Sequence, residues 1–134
     1  KLFIHSHSYS ANPLACAVAN ETLHLLTEDN FLETLKPKIA AIKEYGKLFD
    51  GIEGEFRQTG MIAAMELVKN KKERFSAEKR VGYQIYLEGL KRGLFLRPLA
   101  DVVYFIPPLV ITEDEIEVML TTARECINTV LKRP

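Results

Sequence analysis

The segment "TEDEIEVMLTTARECINTVLKR", residues 112 to 133, constrains the fold more than any other stretch. Thr112 and Glu115 stand at capping-box spacing, in which a hydroxyl and a carboxylate three residues apart satisfy the free N–H groups of a helix start. Behind that start Ile116, Met119, Leu120, Ala123, Ile127 and Val130 recur on one face. This is the period of an amphipathic helix, and such a face must be buried against something.

The remaining patterns say what that something is. In "SANPLACAVANETLHLLTED", Pro13 suits a first helical position and Asn12 suits the cap before it. Leu14, Val18, Leu25 and Leu26 keep helical spacing. Small residues at Ala15, Cys16, Ala17 and Ala19 invite close packing, so burial on more than one side is expected. A second helix follows, with Asn30 and Glu33 as a capping pair and Leu32, Leu35, Ile39, Ile42 and Phe49 as its stripe. Pro37 is expected to kink or divide it, and Gly51 to stop it. Met61 to Val68 reads as a buried strand, preceded by a shorter one through Phe56. The polar "NKKERFSAEKR" is a solvated connection. Ser76 then caps a helix with Tyr83, Tyr86, Leu87 and Leu90 as its apolar face, ending at Gly93. "LFLRP" and "VVYFIP" read as two strands turning at Ala100 and Asp101, although Pro98 disfavours a central strand. Helix, helix, strands, helix, hairpin, helix is an α+β order: a small antiparallel sheet with helices packed on one side.

Bulk properties exclude some roles. Lysine plus arginine and aspartate plus glutamate number 18 each, which gives no support for nucleic acid or an anionic membrane as partner. Cys16 and Cys126 are read as two reduced, buried small residues in a reducing compartment. No apolar run is long enough for a signal peptide or a bilayer span, so a cytoplasmic protein is expected. The chain of 134 residues opens on the strand-like "KLFIH" without an initiator methionine, which suggests a piece cut from a longer polypeptide.

Two places carry candidate chemistry. In "HSHSYSANPLAC", His5 and His7 share a strand face, but no third metal ligand lies in local support. Ser6, Ser8 and Ser10 lack the strained elbow of a nucleophilic serine. A serine-rich turn ahead of a helix can instead seat an anion on hydroxyls, free N–H groups and the helix dipole, or can simply cap the helix. The second place is Arg97, set among Leu, Phe, Val and Tyr. It reads either as an exposed or salt-bridged structural arginine or as a two-pronged grip on a carboxylate.

Taken together, "HSHSYSANPLACAVA", "RQTGMIAAMEL" and "GLFLRPLADVVYFIPPLVITEDEI" resemble, in order and spacing, the C-terminal part of class III pyridoxal-phosphate-dependent aminotransferases. The resemblance covers essentially the whole chain. It implies the C-terminal domain of a fold-type I transferase, with residues 1–28 as a loop and long helix leading from a large domain and 29–134 as the small domain. It implies pyridoxal 5'-phosphate as cofactor, with Ser8 and His7 at the phosphate of the neighbouring subunit's cofactor in a homodimer. Ser6 stands where the family usually has glycine, close to the substrate, and Arg97 matches the family's substrate-carboxylate arginine. Its partners would be small molecules, an amino donor and a long-chain keto acid. The family's cofactor-anchoring lysine belongs upstream, so no catalytic residue is assigned in this chain and the piece alone is expected to be inactive. Another class III enzyme, or a non-catalytic α+β binding or dimerisation module, are the competing readings.

Overall fold

A computed structural model describes residues 8, 10–27, 30–70 and 73–132. The chain divides into two compact units, Lys1–Thr34 and Leu35–Pro134.

In the first unit, helix α1 runs over Pro13–Thr27. Asn12 caps it as its sequence predicts: its Oδ1 accepts the N–H of Leu14 at 3.0 Å and of Ala15 at 3.1 Å. The expected burial is not found. No residue of α1 is buried, Leu14, Val18, Leu23 and Leu25 are each more than half exposed, and Cys16 is exposed too. A run of small residues permits close packing but does not create it.

Helix α2 spans Phe31–Gly46 and starts after Asn30, whose φ of 63° is one that asparagine tolerates. Pro37 does not divide it. The proline forfeits only its bond to the Glu33 carbonyl, while Leu35 before it and Ala41, Ile42 and Gly46 after it are buried and hold the helix. The α-helix stops at Gly46 rather than at Gly51, because a 3-10 turn over Lys47–Phe49 follows, and Gly51 takes its left-handed turn after that.

Strands β1 (Gly54–Thr59) and β2 (Ile62–Leu67) form an antiparallel hairpin, and β3 (Val102–Phe105) pairs antiparallel with β2. The order is β1-β2-β3. Alternation sorts the sheet: Ala63, Met65, Leu67, Val103 and Phe105 are buried, whereas Arg57 and Glu66 pair at 2.8 Å on the other side. Phe49 stacks on Phe56 at 5.1 Å and leans on Phe105 at 6.0 Å, tying α2's end to the sheet.

Helix α3 occupies Val81–Lys91 and α4 occupies Glu113–Leu131. The buried face of α3 is Val81, Gly82, Ile85, Glu88 and Gly89, not the expected Tyr83, Tyr86, Leu87 and Leu90. Two glycines let this backbone come so close to its neighbours that the bulkier residues are turned outward. Ser76 makes no side-chain cap; it precedes a 3-10 turn over Ala77–Lys79, and α3 opens at Arg80. Buried Glu88 is held by Lys91 at 3.1 Å and Arg92 at 3.5 Å, and Arg92 reaches Glu125 of α4 at 3.1 Å. On α4, Ile116, Leu120, Ala123, Cys126, Ile127 and Val130 are buried, so the stripe read from sequence is the core face, with Met119 at its half-buried margin. Helices on one face of a three-stranded antiparallel sheet complete the α+β arrangement.

The capping box of α4 is complete: the Glu115 N–H donates to the Thr112 hydroxyl at 3.2 Å, and the Thr112 N–H donates to the Glu115 carboxylate at 2.8 Å. Thr112→Ala is expected to lower stability by about 1 kcal/mol at neutral pH, read from urea unfolding. The Thr112 N–H, and then its hydroxyl, hold the Glu115 carboxyl below its ordinary range. A depressed carboxyl stabilises above its unfolded pKa and stops doing so as pH falls through the folded value. The gap between the two proteins should therefore narrow on acidification, and a gap indifferent to pH would count against the box.

Candidate active site

Arg97 belongs to neither a strand nor a turn. "LFLRP" forms no strand; only Leu99 bridges to Val102, around a turn at Ala100 and Asp101 in which Ala100 takes φ 51°. Pro98 cannot donate to a ladder, so the segment runs irregularly. It is laid along α3 by the two glycines. A Cβ on Gly89 would stand 2.7 Å from the Leu94 carbonyl and 3.4 Å from Leu96, and one on Gly82 would run into the Ala100 carbonyl and come within 2.9 Å of Pro98. Between these contacts Leu96 turns in, 3% exposed, and Arg97 turns out.

Arg97 lines an open groove of about 780 Å³ with Arg74, Arg80, Tyr83, Tyr86 and Phe95 among its walls. Arg80 is the left-handed residue ahead of α3, φ 44°, with its N–H on the Ala77 carbonyl at 3.2 Å and its carbonyl accepting Gln84 N–H at 3.0 Å. Its guanidinium rests 4.2 Å from the centre of the Tyr83 ring. Tyr83 adjoins Tyr86 at 5.9 Å, and Tyr86 meets Phe95 edge-on at 5.7 Å. The tyrosines read from sequence as core therefore make an aromatic wall. Tyr83 and Tyr86 stand three residues apart on α3 and so adjoin, while Arg80, just ahead of the helix, reaches the Tyr83 ring.

Ser8 lies exposed in a turn of the first unit, and Arg97 lies in the second unit. His5, Ser6 and His7 fall outside the described residues. The free N–H groups expected at the mouth of α1 are not free. Pro13 has none, Leu14 and Ala15 donate to the Asn12 side chain, and Cys16 donates to the Asn12 carbonyl at 2.9 Å. The first-turn amides of α1 are therefore taken, and only the helix dipole is left to an anion at its mouth. Among the described residues, no group of three or more His, Cys, Asp or Glu side chains is placed to hold a metal. Among them also, no helix is long and apolar enough to cross a membrane.

A small antiparallel sheet with helices on one face, and an arginine displayed from the irregular segment beside it, are set in a chain that matches the class III aminotransferase family over residues 2–127. The chain belongs to that family. It is 43% identical, over 97% of its length, to the adenosylmethionine-8-amino-7-oxononanoate aminotransferase of Geobacter sulfurreducens, of which it covers 30%. It is 40% identical, over 94% of its length, to the putrescine–pyruvate aminotransferase of Pseudomonas aeruginosa, of which it covers 28%. The crystal structure of the adenosylmethionine-8-amino-7-oxononanoate aminotransferase of Methanocaldococcus jannaschii superposes with a TM-score of 0.87 at 32% identity, over 95% of this chain and 30% of that one. The chain thus spans about 30% of the length of the G. sulfurreducens protein. Class III aminotransferases use pyridoxal phosphate.

Proposed function

We propose that this chain is the C-terminal part of an aminotransferase that converts 8-amino-7-oxononanoate to 7,8-diaminononanoate in biotin biosynthesis. The observation that carries the reading is Arg97. It stands in a groove walled by aromatic rings and, among the described residues, makes no hydrogen bond or ion pair. A keto acid with a long apolar chain needs a cationic grip at its carboxylate and apolar walls along its body. The similarity to the G. sulfurreducens enzyme supports this acceptor over others.

When bound, pyridoxal phosphate supplies the electron sink for moving an amino group. Family position assigns Ser8, exposed among the described residues, to its anionic end, with His7 beside it and Ser6 near the substrate. The lysine that anchors the cofactor is assigned to the part of the relatives' length that this chain does not span, so the chain alone is expected to be inactive. The complete enzyme is read as a cytoplasmic homodimer with residues 1–28 leading from its large domain into a small domain over 29–134.

The test uses the full-length enzyme with its cofactor converted to the aminated form by an amino donor. Adding 8-amino-7-oxononanoate should restore the spectrum of the carbonyl form. Recovery with pyruvate but not with 8-amino-7-oxononanoate would transfer the reading to the putrescine–pyruvate type, which the 40% identity supports as the second choice.

A further inference from the structure

We propose that the groove holds a second anion position, Arg80 backed by Arg74, so that with Arg97 it seats an elongated molecule bearing a carboxylate at each end. This rests on the reading of Arg97 as a carboxylate ligand and extends it. Among the described residues, Arg74, Arg80 and Arg97 line the groove against the one carboxylate of Asp101. That excess sits in a chain whose acidic and basic residues balance at 18 each.

Elsewhere among the described residues the arginines have partners. Arg57 takes Glu66 at 2.8 Å, Arg92 takes Glu125 at 3.1 Å, and Arg124 donates to the Leu48 carbonyl. The guanidinium groups of the three groove arginines make no hydrogen bond or ion pair among the described residues. Arg80 is nevertheless held in place. Its backbone takes a left-handed conformation with φ of 44°, which fixes the chain where it enters α3. Its guanidinium is steadied on Tyr83, which reduces the freedom lost when an anion binds. The Gly82 contact with Pro98 and Ala100 brings the start of α3 against the Arg97 segment, and Tyr83, Tyr86 and Phe95 give an apolar run along the groove. A monocarboxylate uses one of these cations. A dicarboxylate with an apolar middle uses both ends and the wall.

The test is titration calorimetry of the full-length holoenzyme with heptanedioate and heptanoate, which share a chain length. The dicarboxylate should bind roughly fivefold more tightly, the size of one exposed ion pair. Arg80→Met should remove that gap while heptanoate binding holds, and Arg80→Lys should restore part of it. Both variants keep a side chain at the same left-handed position, and unchanged circular dichroism would confirm the fold. Equal binding of the two acids to the unmodified enzyme, or a gap that survives Arg80→Met, would overturn the proposal. Arg97→Met should weaken both acids. Heptanoate binding that ignores Arg97→Met would sink the Arg97 reading instead, and the two failures are told apart by which variant is silent.

Discussion

Gly82→Val is expected to cost about 3 kcal/mol of stability, among the largest effects of any single substitution in the second unit. Intrinsic helix propensity points the other way, because glycine is a poor helix residue and replacing it usually helps. The contact decides the sign. Any Cβ at position 82 would run into the backbone carbonyl of Ala100 and approach the Pro98 ring at 2.9 Å. A backbone carbonyl cannot swing aside as a flexible side chain can. The helix start or the 98–100 turn must move, and with it the bond from the Leu67 N–H to the Asp101 carbonyl at 2.9 Å. The urea midpoint should fall with the slope of the transition unchanged. Gly93→Asn is the contrasting case, since nothing lies within 4 Å of a Cβ there and asparagine tolerates its φ of 75°. If Gly82→Val unfolds at the same urea concentration as the parent, the close approach of α3 to the Arg97 segment is wrong.

That same contact explains where the sequence was legible and where it was not. The α4 face was readable because Thr112, Glu115 and the stripe behind them all act through local spacing. The "MIAAMELV" strand was readable because a short apolar run bounded by glycine and lysines has few other uses. The face of α3 was misread because periodicity favours large apolar residues as the buried side. Here the buried side is chosen by glycine, whose value lies in a neighbour that cannot be seen from the sequence. "LFLRP" was read as a strand from its composition, and Pro98 lost it the ladder. Of the candidate site, Arg97 stood out as a charge among apolar residues. Arg74 and Arg80 sit in a polar connection and looked like solvated charges, so their convergence on the groove was invisible. The amides at the mouth of α1 are engaged rather than free, because Asn12 takes those of Leu14 and Ala15 and Pro13 has none.

In the full-length enzyme, Arg97→Met is expected to raise KM for the keto-acid acceptor about tenfold, the weight of a charge-assisted hydrogen-bonded grip lost from an open groove. The effect should fall on KM more than on kcat, since a grip on the far end of the substrate acts alike in ground and transition states. Arg97→Lys should recover only part of the loss, because an ammonium keeps the charge but not the two parallel hydrogen bonds of a guanidinium. An acceptor lacking the carboxylate separates a specific grip from general damage. It should be used equally well, or equally poorly, by parent and variant. The surrounding geometry makes this comparison clean: Arg97 is exposed in its groove while Leu96, 3% exposed, anchors the segment, so loss of the guanidinium leaves the packing beneath it untouched. A KM that does not move, with both acceptors unaffected, would mean that the arginine faces water rather than substrate, and the assignment of this groove as the carboxylate end of the site would fall with it.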